Sequence, residues 1–514
     1  MSTKAGTERM ERAASPASTD RRSAARAAPI LIGYGLLLWT LALVLFFPNG
    51  WLPIATAAGA TALLSFDRKL GPVGAAVFIM LALPVGRGSE VGLPRLLGDL
   101  PLRAHDVVPL VGIALAMPAV VRRLGRPAAL RWDALMPVAV FAAVGVVALV
   151  IGLAGDQALR DIVRDARWWA FYGVGLVALL AGVPRANVLR GILWGLTIYC
   201  AVLLIGLLMP LFHGGLKYGA YAYDPRLRLH YGQAAFLLLG VAHVVDRVVR
   251  RPTAPGLALL ALFASGIAVT ITRSLLATMV AVAFLTGAWT LLRLGRRTPL
   301  RSWSFVGMAA RRLAPASLAV AVGLGAGFGA YQAGIQIWTP DWAYSSDPGG
   351  SASGAPSESR PVRPSLGRVF EDTANAGFAA QGGGRLASYA EAFSDTSESP
   401  LIGHGMGRLA RISWAWGGFR ASTPGSQPGV DNAYLTVGLK AGAVGIAAFA
   451  AMFLWPLRLV ARRSLRRMRP WFVPAWLGIL GLTLIQSFAV SGYAPFALSL
   501  LVVLPALSGR RGSG

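Results

Sequence analysis

ALMPVAVFAAVGVVALVIGLA, residues 134–154, contains no ionisable side chain. A helix of this length rises about 30 Å, the thickness of a bilayer's hydrocarbon core. No water reaches that core, so the backbone there must satisfy its own N–H and C=O groups, and a single segment can do so only as a helix. The stretch reads as a transmembrane span. Ile30 to Phe47, Leu189 to Phe212 and Ala316 to Ala333 read the same way. The whole chain agrees: of 514 residues 55% are hydrophobic and only 14% charged, with a mean hydropathy of +0.58, far more apolar than a soluble domain.

Extending this reading outward gives an all-α polytopic membrane protein of about 12–14 transmembrane helices. The expected spans lie near 30–48, 51–66, 72–86, 107–121, 134–154, 168–183, 189–211, 232–249, 255–271, 275–293, 315–333, 433–457, 471–489 and 492–508. Residues 1–28, rich in Ser, Ala, Thr and Arg without an apolar centre, read as a disordered basic tail rather than a cleavable signal. The organisation expected is therefore tail 1–28, helices 1–11 within 29–333, a large loop at 334–431 carrying short amphipathic helices, helices 12–14 within 432–508, and a short tail at 509–514. Cys200 is the only cysteine and lies in an apolar run, which leaves neither a disulfide framework nor a cysteine-based metal site.

A net charge of +27 invites a nucleic-acid reading, but its distribution argues against one. The charge comes as short arginine clusters between apolar runs, recurring at every second loop: Arg68 with Lys69, Arg122 to Arg131, Arg185 with Arg190, Arg247 to Arg251, Arg293 to Arg312, and Arg458 to Arg469. Such alternation encodes topology, whereas a nucleic-acid partner needs one continuous basic face. With these loops cytoplasmic, both termini are cytoplasmic as well. The segment 334–431 is then extracytoplasmic, with seven arginines against nine acids.

A loop of that length exceeds what a connection needs. Residues 345–364, SSDPGGSASGAPSESRPVRP, are a low-complexity tract. Beyond it, Leu386, Tyr389, Ala390 and Phe393 share one helical face, as in a helix lying on a membrane surface. The outer side gathers a short set of polar groups beside the membrane: Arg226 and Arg228 before one span, Arg273 in a tight turn, Arg385, His404 within GHGMG, and Asp431 with Asn432 ahead of a span holding Lys440. Gly442 and Gly445 read as close-packing positions within that span. GHGMG lacks the strand and βαβ unit of a dinucleotide fingerprint and reads as a tight turn in which the backbone approaches a neighbour.

GGRLASYAEAFSDTSESPLIGHGMG, a polar gap, and then DNAYLTVGLKAGAVGI together resemble the O-antigen ligase and polysaccharide polymerase superfamily. That family carries an Arg-led helix, a Pro-Leu-x-Gly-x-Gly-x-Gly turn, and a polar pair followed by nine residues and Gly-x-x-Gly. Here Asn432 is followed by Ala433 to Ala441 and then Gly442-Ala-Val-Gly445. TRSLLATMVAVAF at 272–284 is similar to the family's Ser-Arg span, with Thr272 for Ser. Asp431 departs from the pattern, standing where the ligase branch has histidine.

The resemblance implies glycosyl transfer on the extracytoplasmic face of a bacterial cytoplasmic membrane, without metal ion or cofactor. The donor would be a polyprenyl (undecaprenyl) diphosphate-linked glycan, and the acceptor a hydroxyl of another glycan or glycolipid. Arg273, Arg385 and Arg226 or Arg228 would hold the diphosphate, because guanidinium binds phosphate oxygens bidentately and stays charged. Asp431, beside Asn432, would act on the acceptor hydroxyl; His404 and Lys440 are further candidates. Aspartate at 431 favours the polymerase type over the ligase. A lipid-linked oligosaccharide flippase is the alternative from another class, though the chain shows no internal repeat and its apolar runs are mostly free of ionisable residues at their centres.

Overall fold

The computed structural model describes residues 16–46, 51–83, 90–92, 101–125, 132–208, 232–270, 272–295, 303–338, 389–412, 425–427, 432–462, 465–486, 488–490 and 494–507. Among them, besides the helical residues 389–397, stand fourteen α-helices, each overlying one expected span. They are α1 Pro16–Phe46, α2 Trp51–Leu64, α3 Gly71–Ala82, α4 Ala104–Leu124, α5 Trp132–Ala154, α6 Leu159–Ala181 and α7 Arg185–Leu208. After these come α8 Leu237–Arg250, α9 Ala254–Val269, α10 Arg273–Leu294, α11 Trp303–Trp338, α12 Ala433–Val460, α13 Arg469–Ile485 and α14 Ala494–Val503. Two short antiparallel hairpins accompany them, β1 Glu90–Gly92 with β2 Pro101–Arg103, and β3 Ala410–Ile412 with β4 Gly425–Gln427. Helix α1 reaches back to Pro16, into the segment 1–28 read as a disordered tail. Alanine and arginine, both good helix formers, supply that extension.

Seven helices, α1, α4, α5, α7, α10, α11 and α12, are long and apolar enough to cross a membrane. Others are not. A helix of 12 residues such as α3 rises only about 18 Å, and α14, with 10, about 15 Å. Nearly every residue of these two is buried inside the bundle. Their apolarity serves helix neighbours as much as lipid.

The bundle closes where glycines let backbones approach. Gly191 and Gly195 of α7 lie against α3 at Gly74 and Phe78, and Gly323 and Gly327 of α11 lie against α9 at Ala261 and Ser265, both in the small-xxx-small spacing of membrane helix pairs. A second device is aromatic. Phe141 of α5 stacks on Trp169 of α6, with ring centroids 4.8 Å apart, and Phe453 of α12 stacks on Trp476 of α13 at 5.4 Å. Phe449 of α12 meets Phe141 at 5.4 Å, joining the two stacks. Both stacked indoles are satisfied, Trp169 Nε1 donating to Phe141 O at 3.0 Å and Trp476 Nε1 to Phe453 O at 2.7 Å. This ladder sets α5, α6 and α12 side by side.

The two ends of the bundle differ in charge. At one end Arg462 pairs with Asp133, Arg185 donates to the carbonyls of Leu504, Pro505 and Leu507, and Arg250 pairs with Asp246. The Arg462–Asp133 pair joins the start of α5 to the end of α12, so the two helices run antiparallel. Their other ends meet at residues 399–408.

Candidate functional site

Helix α12 begins at Asn432 in extended geometry, and its Oδ1 accepts from Leu435 N at 3.1 Å, as an N-cap should. The same side chain donates from Nδ2 to Leu484 O, 3.0 Å away at the end of α13. Two residues further on, Gln486 Nε2 donates to Ser274 Oγ at 3.1 Å. The backbone at Arg273, the first residue of α10, is thereby linked to the start of α12 through the end of α13. Two of the expected site positions that are far apart in sequence, Arg273 and Asn432, thus lie at the same end of the bundle.

Ten residues into α12 the helix breaks. Gly442 has φ 61° and ψ −161°, a backbone region open in practice to glycine alone. In an unbroken helix Ala443 N and Val444 N would bond to the carbonyls of Leu439 and Lys440. Instead they donate to Pro400 O and Leu401 O at 2.8 and 3.2 Å, while those two carbonyls accept from His404 N and Gly405 N, both at 3.0 Å. The loop 399–408 is inserted into the break and satisfies these four backbone groups that the break frees. A Cβ on Gly442 would collide with the Leu401 backbone, and one on Gly403 (φ 69°) with that of Lys440 and Ala441. Gly442 is therefore a place of close approach, as the sequence reading held, but at a break in the helix rather than within one continuous helix. Its neighbour Gly445 faces Ala441 across the break.

The loop's other side lies on α5 and α6. Met406 N donates to Ala148 O at 2.8 Å, and Gly407 N to Asp165 Oδ2 at 2.8 Å. Asp165 also pairs with Lys440, whose Nζ donates as well to Arg408 O at 2.9 Å. Both charged side chains are buried, Lys440 at 0% and Asp165 at 2% exposure. Neither bears its desolvation cost alone, because the pair is hydrogen-bonded to the glycine loop as well as to itself. Lys440 is thus not free to meet a ligand. It fastens α6, α12 and the loop to one another.

His404 is a structural partner too. Its Nε2 donates to Asp395 O at 2.7 Å, near the end of the helical residues 389–397, and stands 3.9 Å from Glu398. It satisfies one of the last carbonyls of that helix. Of the expected apolar face of this helix, Ala390 and Phe393 are exposed, Tyr389 is partly buried and Leu386 lies outside the described residues, while Ala392 and Asp395 are the buried positions. Leu401 and Ile402 at the loop tip are exposed with Phe393.

Asp431, Arg226, Arg228 and Arg385 lie outside the described residues, as does the side chain of Arg273. Sequence reasoning passed over three residues beside the loop, Arg164, Asp165 and Arg408. The segment GDQALRDIVRDAR, 155–167, reads as self-balanced charge. Its signal was that such charge opens an apolar helix whose first two turns include Asp165.

Comparison with known proteins gives no matching family model and no matching curated relative.

Proposed function

We propose that this chain is a membrane glycosyltransferase that joins polyprenyl diphosphate-linked glycans on the extracytoplasmic face, as a polysaccharide polymerase does. In this reading the 12–14 helices form the membrane body. An acceptor hydroxyl oxygen attacks the anomeric carbon of the donor glycan, and the bond from that carbon to the phosphate oxygen breaks. The polyprenyl diphosphate leaves with the electron pair, and Asp431 takes the hydroxyl proton. Arginines drawn from Arg273, Arg385, Arg226 and Arg228 neutralise the charge growing on the diphosphate.

The observation that carries the reading is the hydrogen-bonded link from Ser274 through α13 to Asn432, which brings the start of α10 and the start of α12 to one end of the bundle. Depth fits the same use. From Gly442 to Val460 α12 rises about 27 Å, enough to cross a hydrocarbon core, so the break and the inserted loop sit at its edge. The arm from Asn432 to Ala441 then stands above it, where a lipid-borne diphosphate and a water-soluble sugar can meet. The arginine-rich end is opposite, as the charge bias of cytoplasmic loops requires.

The broken helix bears on the transporter reading. Discontinuous helices in transporters turn their free ends toward substrate or ion. In this chain both ends at Gly442 are occupied by residues 400–405.

Glycan analysis of a strain lacking this chain tests the function. Lipid-linked single repeats should accumulate without long chains. Intact polymer left on its carrier lipid would assign a ligase, and an unchanged glycan profile would refute both.

A further inference from the structure

Beside the buried Lys440–Asp165 pair, α6 carries Arg164. Its Nη1 is held by Asp161 Oδ1 at 2.9 Å. Its Nε and Nη2 are buried and have no hydrogen-bond partner. These two nitrogens form one edge of the guanidinium, the edge that takes two oxygens of a phosphoryl group side-on. Leaving two such donors buried and unmet is costly, and a native structure retains such groups where a role explains them.

Arg408 repeats the pattern. Its Nε is buried without a partner, and its Nη2 lies 3.9 Å from Glu398, too far for a hydrogen bond. The hydrogen bond from Gly407 N to Asp165 Oδ2 brings the backbones of the two arginines together, one residue before Asp165 and one after Gly407. Nearby acids do not meet the unpaired nitrogens: Asp165 is taken by Lys440 and Gly407, Asp161 by Arg164 Nη1, and Glu398 is exposed.

We propose that Arg164, with Arg408 across the glycine loop, binds the phosphoryl oxyanion of a lipid at the membrane edge. This rests on the glycosyltransferase reading insofar as the lipid is the polyprenyl diphosphate donor. An ordinary anionic phospholipid headgroup carries the same chemistry. Neither arginine is among the residues assigned above to the diphosphate. Asp165 and Lys440 act here as positioning residues, holding the two arginines at a fixed separation.

The test uses the full chain in detergent, with farnesyl diphosphate as one probe and phosphatidylglycerol as the other, binding being read by native mass spectrometry and thermal unfolding run in parallel. Arg164→Gln should weaken farnesyl diphosphate about tenfold or more, as expected for the loss of two charge-assisted hydrogen bonds. Arg164→Lys, which keeps the charge without the fork, should lose nearly as much, with the unfolding midpoint unchanged. If phosphatidylglycerol weakens instead while farnesyl diphosphate binding is unaltered or absent, the phosphoryl site stands and the donor reading falls. Parent-like binding of both lipids by both variants, or losses that only follow unfolding, would overturn the site.

Discussion

Asp431→Asn is expected to lower turnover by roughly 10²- to 10⁴-fold while donor binding persists, because the amide keeps the size of the carboxylate but cannot take a proton. The bland explanation of an acid at a helix start is that it caps the helix. In this chain Asn432 supplies the cap, through its own bond to Leu435 N. Removing charge at 431 therefore leaves that cap in place, and a fall in turnover at constant protein level reports on chemistry. Asp431→His gives a second reading, since it installs the residue that the resembling ligase branch carries and should retain measurable activity. Steady-state kinetics with separately measured donor affinity decides the matter. Near-normal turnover in Asp431→Asn would remove the proposed base, and His404 is a poor substitute because its Nε2 is bound to Asp395 O.

The largest effect on stability is expected at Lys440. Lys440→Met leaves Asp165 buried with no counter-charge, a change that costs about 3–5 kcal/mol. Pairing it with Asp165→Asn should recover most of that loss. The asparagine Oδ1 can still accept from Gly407 N, and no lone charge remains in the interior. Thermal unfolding in detergent compares the two. Equal destabilisation of the single and double variants would mean that the pair's charge is not what holds the loop.

How far the sequence foretold this arrangement depends on the range of each signal. Apolar runs are local, and every expected span has its helix. Their depth is not local. The runs at 72–86 and 492–508 read as full spans, but α3 and α14 are short helices enclosed by neighbours, and apolarity alone cannot distinguish a lipid-facing side chain from one facing protein. The glycines at 403, 405, 407 and 442 were legible as places of close approach. That they approach one another was not, because the pairing of residues 400–405 with 439–444 joins segments more than thirty residues apart through backbone groups, which no side-chain pattern marks. Lys440 was noticed as an ionisable group in an apolar helix. Its partner, 275 positions earlier, was hidden among acids and arginines that seemed to balance each other.

The catalytic proposal is tested by supplying the purified chain, reconstituted in vesicles, with lipid-linked repeat units and no nucleotide sugar, in buffer containing EDTA. Mass spectrometry then follows the glycans and the carrier lipid. The result expected is dimeric and longer glycans, with one free polyprenyl diphosphate released for each new glycosidic bond. Transfer of lipid-linked glycan between leaflets with no new glycosidic bond and no released diphosphate would contradict it.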